Sequence, residues 1–349
     1  MKLPMNISVC TTVLNEEASI GKLLDSLLVQ TKKADEIVIV DGGSKDKTVE
    51  IIKHYQKKDK SIKLLIEKGG IAHGRNTAIE IAKYPIIAQI DAGCIAKPDW
   101  LEKLVRPFEL TTPGHPPGVH SATLRESDAK AHPRGVRMDS SGVGVVAGFY
   151  IMPAHSSLQK AMNLYLGVHP KRFDPANFLP SARSVAFKKE VWEKIGGYDE
   201  KLEKGGEDTK FFVSCVKNKI RIARVGDAKV VWEEIKDLSL TDFFLKVFNY
   251  AKGDAKTKIW IYPIAGIMSH NIKIVLVFLR YFLAFAFLAF SFFFNWPFAY
   301  LFIGLLAYLF WSVWKFRDIV NSRKVRVWIP VVQIVSDIAV MLGFLYGLF

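Results

Sequence analysis

Four acidic positions in this chain stand where a carboxylate can meet a ligand. Asn15-Glu16-Glu17 and Asp41-Gly42-Gly43-Ser44 each follow an apolar run, Asp91 follows a third, and Gly205-Gly206-Glu207-Asp208 leads into a helical pattern. Asp91 comes directly after the apolar stretch Pro85 to Ile90, so it lies at the carboxyl end of a strand, the edge where open α/β sheets bind ligands. An enzyme that handles a nucleoside diphosphate through a divalent ion would place a second carboxylate two residues later. Gly93 stands there instead. Singly, each position has a plain structural reading: Asp41-Gly42 as a turn, Asp208 as a charge favoured by the dipole at a helix start. Three of them on one edge of one parallel sheet point to chemistry.

The elements that would position them can be read from apolar spacing. Ile7 to Val13 predicts a strand, and Ile20, Leu23, Leu24, Leu27 and Leu28 form one buried helical face. Glu36 to Val40 predicts a second strand, with Ser44 as the cap of the helix carrying Val49, Ile51 and Ile52. A strand over Ile62 to Ile66, a helix over Arg75 to Ala82 and a strand over Pro85 to Ile90 follow. Continuous apolar strands alternating with helices predict an α/β fold, a mostly parallel sheet flanked by helices. Residues 108–142 lose every period, a rare length for a structureless stretch in a compact domain. They are read as an irregular loop or insertion, with plain disorder an equal alternative, and His115, His120 and His132 lack ligand spacing. Order resumes with strands over Val145 to Ile151 and Ser184 to Phe187. Helices over Lys189 to Ile195 and Asp208 to Lys217 come next, and a last strand over Lys229 to Glu234.

The 349 residues leave room for more than this domain, taken as residues 1–235. Residues 236–272 are aromatic and amphipathic, as helices at a membrane interface would be. Residues 273–349 contain three apolar runs near 274–294, 298–314 and 328–349, each about long enough to span a bilayer. The amino terminus shows no apolar signal segment. Lys315, Arg317, Arg323, Lys324 and Arg326 between the second and third runs mark a cytoplasmic loop. Together these predict a multi-pass membrane protein with a cytoplasmic catalytic domain and its carboxyl terminus outside. Arg280 inside the first run would snorkel to the interface or meet a lipid head group. The formal charge of +14 suits an anionic lipid surface and phosphate ligands. No zinc spacing or nucleic-acid module accompanies it, which argues against nucleic acid as a partner. Cys10, Cys94 and Cys215 read as reduced thiols. No Gly-x-Gly-x-x-Gly follows an early strand, so a dinucleotide-dependent oxidoreductase lacks support.

Thr12-Val13-Leu14-Asn15-Glu16, Val40-Asp41-Gly42-Gly43-Ser44-Lys45-Asp46-Lys47-Thr48, Gly74-Arg75-Asn76 and Gly206-Glu207-Asp208 occur in this order. As an ordered set they resemble the family-2 inverting glycosyltransferases of the GT-A fold, over roughly residues 5–235 with 108–142 unmatched. The membrane-anchored members are the most similar in layout. The resemblance implies a nucleotide-sugar donor and a lipid-linked or membrane-proximal acceptor, with single addition of a sugar. It implies that Thr12, Leu14, Glu16, Asp41, Arg75 and Asp91 line the donor site. Asp41 would face the base, Arg75 the nucleotide and Asp91 the ribose and any ion. Asp208 would be the general base, with Glu207 beside it in the catalytic pair. Arg183, Tyr198 and Arg172 would face the acceptor or diphosphate, Arg183 serving equally as a structural ion pair.

The chain departs from that pattern at Gly93, and Lys229 to Glu234 offers no late histidine. Asp91 and Glu233 would still give Mg²⁺ or Mn²⁺ two oxygen ligands, which is the reading taken. Lys171 and Arg172 acting on the leaving group without metal is the alternative. A processive polysaccharide synthase would carry a Gln/Arg-x-x-Arg-Trp signature after the base, absent from residues 209–270. A catalytically inactive scaffold that binds nucleotide-sugar or lipid rests on Gly93 alone.

Overall fold

The computed structural model describes residues 5–110, 142–202, 205–235, 237–260, 269–293 and 299–349. It divides into two compact units. The first comprises the described residues of Met1–Pro153, Phe173–Glu203 and Glu207–Glu234. Its elements in chain order begin β1 (Ile7–Val13), α1 (Ile20–Leu28), β2 (Glu36–Asp41), α2 (Thr48–Lys58), β3 (Ile62–Ile66), α3 (Ile71–Ile81) and β4 (Ile86–Gln89). They continue with β5 (Cys94–Ala96), α4 (Trp100–Leu110), β6 (Val145–Ile151), β7 (Val185–Lys188), α6 (Lys189–Ile195), α7 (Glu207–Lys217) and β8 (Ile222–Trp232). The label α5 goes to Ser157–Leu166 of the second unit.

Eight strands make one sheet in the order β3-β2-β1-β4-β7-β6-β8-β5. β3, β2, β1 and β4 are parallel, as their unbroken apolar runs predict. β7 then enters antiparallel between β4 and β6, and β5 pairs antiparallel with β8. The sheet is therefore mixed, with β6 and β8 again parallel to each other. The residues of β1 and β2 are buried on both faces, the mark of a sheet covered by helices.

Several expectations shift. The helix expected from Arg75 begins a turn earlier, at Ile71. Ser44 does not cap α2, whose N-cap is Lys47 with no side-chain bond; Ser44 Oγ accepts the Asn15 N–H instead. Residues 108–110 complete α4 rather than opening a loop, whereas 111–141, including His115, His120 and His132, lie outside the described residues.

The second unit comprises the described residues of Ala154–Arg172, Lys204–Gly206 and Ile235–Phe349. It holds α5, α8 (Leu240–Thr257), α9 (His270–Phe293), α10 (Ala299–Trp314) and α11 (Arg323–Leu348). Among the described residues two helices, α9 and α11, are long and apolar enough to cross a membrane. The third expected span is corrected: α10 has 16 residues, about 24 Å of helix against a hydrocarbon core near 30 Å.

Candidate functional site

Parallel pairing brings the acidic residues together. Register aligns Val13 with Asp41 and Asp41 with Ile66, so three strands end at one line. β4 runs beside β1, with the Ile90 N–H donating to the Cys10 carbonyl, and delivers Asp91 to that same edge. The turn after β2 folds on its own aspartate. Asp41 Oδ1 accepts the N–H groups of Gly43 (2.9 Å) and Ser44 (2.8 Å), and Gly43 takes φ +99°, which a side chain would resist. Asp41 is fully buried, yet its Oδ2 has no hydrogen-bond partner among the described residues. A buried acceptor left open loses its hydration without recompense, so a ligand N–H is the natural complement.

The loop after β1 is laced to this turn. Glu16 N–H donates to Thr48 Oγ1 (2.7 Å), Lys45 N–H to Asn15 Oδ1 (2.9 Å) and Glu17 N–H to Asp46 Oδ2 (3.0 Å). Glu16's own carboxylate accepts the Ser19 hydroxyl. Leu14 is 54% exposed on this edge, and Thr12 lies under α3, where a Cβ on Gly74 would come within 2.9 Å of its Cγ2.

Arg75 is the centre. It is buried and donates to Glu207 Oε1 and, at 2.9 Å, to Asp91 Oδ1. Burial works against its charge, but the Glu207 and Asp91 carboxylates outweigh burial and push its pKa up. Its guanidinium lies 5.6 Å from the ring centre of Tyr198, whose hydroxyl donates to Gln89 Oε1 at 2.7 Å. Arg75, expected to approach a nucleotide, braces two carboxylates from opposite halves of the sequence. Tyr198, expected near the acceptor or diphosphate, is buried against Phe211 and lies beneath Arg75. Glu207 is buried too, and burial raises its pKa against the opposing Arg75 charge, with Asp208 raising it further. Glu207, expected in the catalytic pair, is held by Arg75 at the start of α7. Asp208, the next residue, accepts the Thr209 N–H (2.7 Å) and, weakly, the Ala182 N–H (3.4 Å).

Arg183 stacks on the Trp232 ring at 3.7 Å, with Tyr150 at 5.2 Å, and donates to Ser181 Oγ. The stacking and the Ser181 bond hold the guanidinium against these rings. Arg172 belongs to the second unit, where it donates to the Lys315 carbonyl and to Asp318 (3.4 Å).

Divalent-ion binding can be tested against these donors. Among the described residues no group of three His, Cys, Asp or Glu side chains could hold an ion unaided. Glu233 follows Trp232, which pairs with Cys94, and Cys94 N–H donates to the Asp91 carbonyl; the register therefore brings Glu233 to the Asp91 loop. Asp91 spends Oδ1 on Arg75 and keeps its side chain partly exposed. This donor set fits an ion such as Mg²⁺, which is bound by one or two carboxylates and completes its shell from substrate phosphates and water.

Sequence reasoning passed over three supporting residues. Asn76 takes the Tyr198 and Trp192 N–H groups and donates to the Tyr198 carbonyl, closing the Gly196-Gly197-Tyr198 turn. Gln89 anchors Tyr198, and His73 links Glu67 (2.7 Å) to Glu200 (3.0 Å). His73 and Asn76 lie on or beside the Gly74-Arg75-Asn76 motif, and Gln89 lies two residues before Asp91 on β4.

A mixed sheet flanked by helices, with acidic residues gathered at the ends of its parallel strands, defines an α/β fold of GT-A type. The mannosyltransferase PcManGT from Pyrobaculum calidifontis, solved with GDP-Man and Mn²⁺, has the same fold. Its TM-score is 0.50 at 20% identity, over 72% of this chain and 62% of that one. Residues 8–123 match the family described as Glycosyl transferase family 2. Glycosyltransferase AglE of Haloferax volcanii is 36% identical over 101 residues, covering 28% of this chain and 33% of the relative. A putative glycosyltransferase, EpsH of Bacillus subtilis, is 36% identical over 101 residues, covering 29% of each. The chain thus spans about a third of the length of the curated relatives it matches.

Proposed function

We propose that the protein is an inverting glycosyltransferase that moves one sugar from a nucleotide-sugar donor to a lipid-linked or membrane-proximal acceptor. The observation that carries this reading is the Arg75 bridge, which ties Asp91 on the strand edge to Glu207 beside Asp208. A donor site and a candidate base then belong to one charge network.

In this reading the nucleobase donates an N–H to the open Oδ2 of Asp41, with Leu14 and Thr12 beside it. Asp208 takes the proton from an acceptor hydroxyl as that oxygen attacks the anomeric carbon. The bond from that carbon to the diphosphate oxygen breaks in the same displacement, inverting configuration and releasing a nucleoside diphosphate. Mg²⁺ or Mn²⁺, held by Asp91 with Glu233 in reach, would supply positive charge to the departing diphosphate. The Glu207–Arg75 pair fixes the start of α7 and with it the direction of Asp208. Arg183, set on Trp232, is offered as the contact to acceptor or diphosphate.

The test is turnover of GDP-mannose and a panel of UDP-sugars by the full chain in detergent, with Mg²⁺ or Mn²⁺. Asp208→Asn should lower kcat by about 10²–10⁴-fold without changing nucleotide affinity. Turnover indifferent to that substitution would remove Asp208 from the base role. Absence of turnover with every donor would favour a scaffold that binds nucleotide-sugar without using it.

A further inference from the structure

The second unit carries a group of cations that the transferase reading does not use. Near its centre Asp337, buried on the apolar helix α11, is fully engaged. It pairs with Arg280, accepts the hydroxyls of Tyr281 and Tyr308, and accepts the Gln333 amide at 2.8 Å. Gln333 Oε1 in turn accepts from Tyr165 (3.0 Å) and from the ammonium of Lys315. Arg280 is thus neutralised by Asp337, and the expectation that it snorkels or meets a lipid head group gives way to an internal ion pair.

Lys315 is different. It follows the last residue of α10, and its ammonium lies 4.7–4.8 Å from the rings of Tyr165, Trp311 and Phe316. It forms no ion pair with a described carboxylate. Two more cations converge on the same turn. Lys171 donates to the Asp318 carbonyl (3.4 Å), and Arg172 lies over Phe316 while donating to the Lys315 carbonyl. Among the described residues Asp318 is the carboxylate paired with this group, 3.4 Å from Arg172 and largely exposed. With the Asp337 charge balanced by Arg280, the three cations and Asp318 leave an excess of positive charge among the described residues of this turn, held in order by aromatic rings and backbone carbonyls. The field is felt next door: burial first, then the Lys171 and Arg172 charges, hold the His169 pKa below its ordinary value.

We propose that Lys315, Arg172 and Lys171 form a phosphate site for a membrane lipid with a phosphomonoester head. A desolvated cation gains most from a doubly charged phosphate. The lipid source follows from the surroundings. Trp311 and Trp314 are 42% and 50% exposed at this end of α10, as aromatic residues are at a bilayer interface, and the exposed apolar side chains of α9 and α10 offer a path for acyl tails.

The experiment uses the full chain in mixed micelles containing phosphatidic acid or phosphatidylcholine, read by binding of a fluorescent lipid. Phosphatidic acid should bind in preference to phosphatidylcholine. Lys315→Met should weaken it about tenfold, the loss of one charge-assisted hydrogen bond, with Lys315→Arg retaining it. Arg172→Gln, at an exposed side chain, gives the same reading if Lys315→Met fails to fold. Equal affinity for the two lipids, or wild-type binding by both variants, would overturn the site. Displacement of phosphatidic acid by millimolar inorganic phosphate would mark a free-anion site and overturn the lipid assignment. Sugar transfer is a separate measurement, so failure here leaves the transferase reading standing.

Discussion

At the scale of single residues, Arg75 organises the first unit because its planar fork serves two carboxylates at once. Arg75→Gln would leave Glu207 buried without its cation, a loss of about 3–5 kcal/mol by the behaviour of broken buried pairs. It should appear as a lowered Tm together with lost turnover. Arg75→Lys keeps the charge but not the fork, so it should recover more stability than activity; a Tm unchanged in both variants would show that the bridge stabilises nothing. His73 makes a pH prediction. Glu200 first and then Glu67 raise its pKa, so its contribution to stability is complete below the ordinary histidine value, about 6.5, and is lost as pH rises through the folded-state value. The Tm difference between wild type and His73→Gln should therefore shrink from pH about 6 to about 8.5. A constant difference would remove the histidine as its cause.

At the scale of elements, close approach decides more than propensity does. Gly343 and Gly347, four residues apart on α11, face the backbone of α8: a Cβ on Gly343 would come within 2.2 Å of the Phe248 carbonyl oxygen, and one on Gly347 within 2.5 Å of that of Lys252. Small residues at this spacing let two helices pack backbone to backbone. Gly343→Ala should cost roughly 1–3 kcal/mol through overpacking, measured as a lower Tm in detergent. An unchanged Tm would mean that α8 and α11 separate freely. Most strands of the first unit were legible because apolar runs of five to seven residues are hard to read otherwise. The start of α3 was not, because Ile71-Ala72-His73-Gly74 shows little periodicity and is held as helix by packing on β1.

At the scale of the whole molecule, charge and apolar length make separate predictions. The formal charge of +14 would hold the protein on an anionic surface only at low salt, whereas α9 and α11 are apolar over span lengths. Membranes containing the protein should keep it in about 1 M salt, where screening shortens to about 3 Å, and release it to detergent. Release by salt alone would reduce the helices to surface packing. The family match covers residues 8–123, so the second unit lies wholly outside it.

The amino-acid sequence by itself determined the βα alternation, the acidic residues at strand ends and the apolar carboxyl-terminal runs, because each is written in local spacing. Only the tertiary structure decided what those residues touch. Arg75 and Glu207 are 132 positions apart, and no local pattern announces that a guanidinium will lie between Asp91 and Glu207. The same holds for Tyr198, expected near the acceptor or diphosphate and found beneath that guanidinium, and for Lys315, read as a topology signal and found in a ring of aromatic side chains. Pairings across such separations are set by the order in which strands join the sheet and by which helix faces meet, and these are properties of the folded chain.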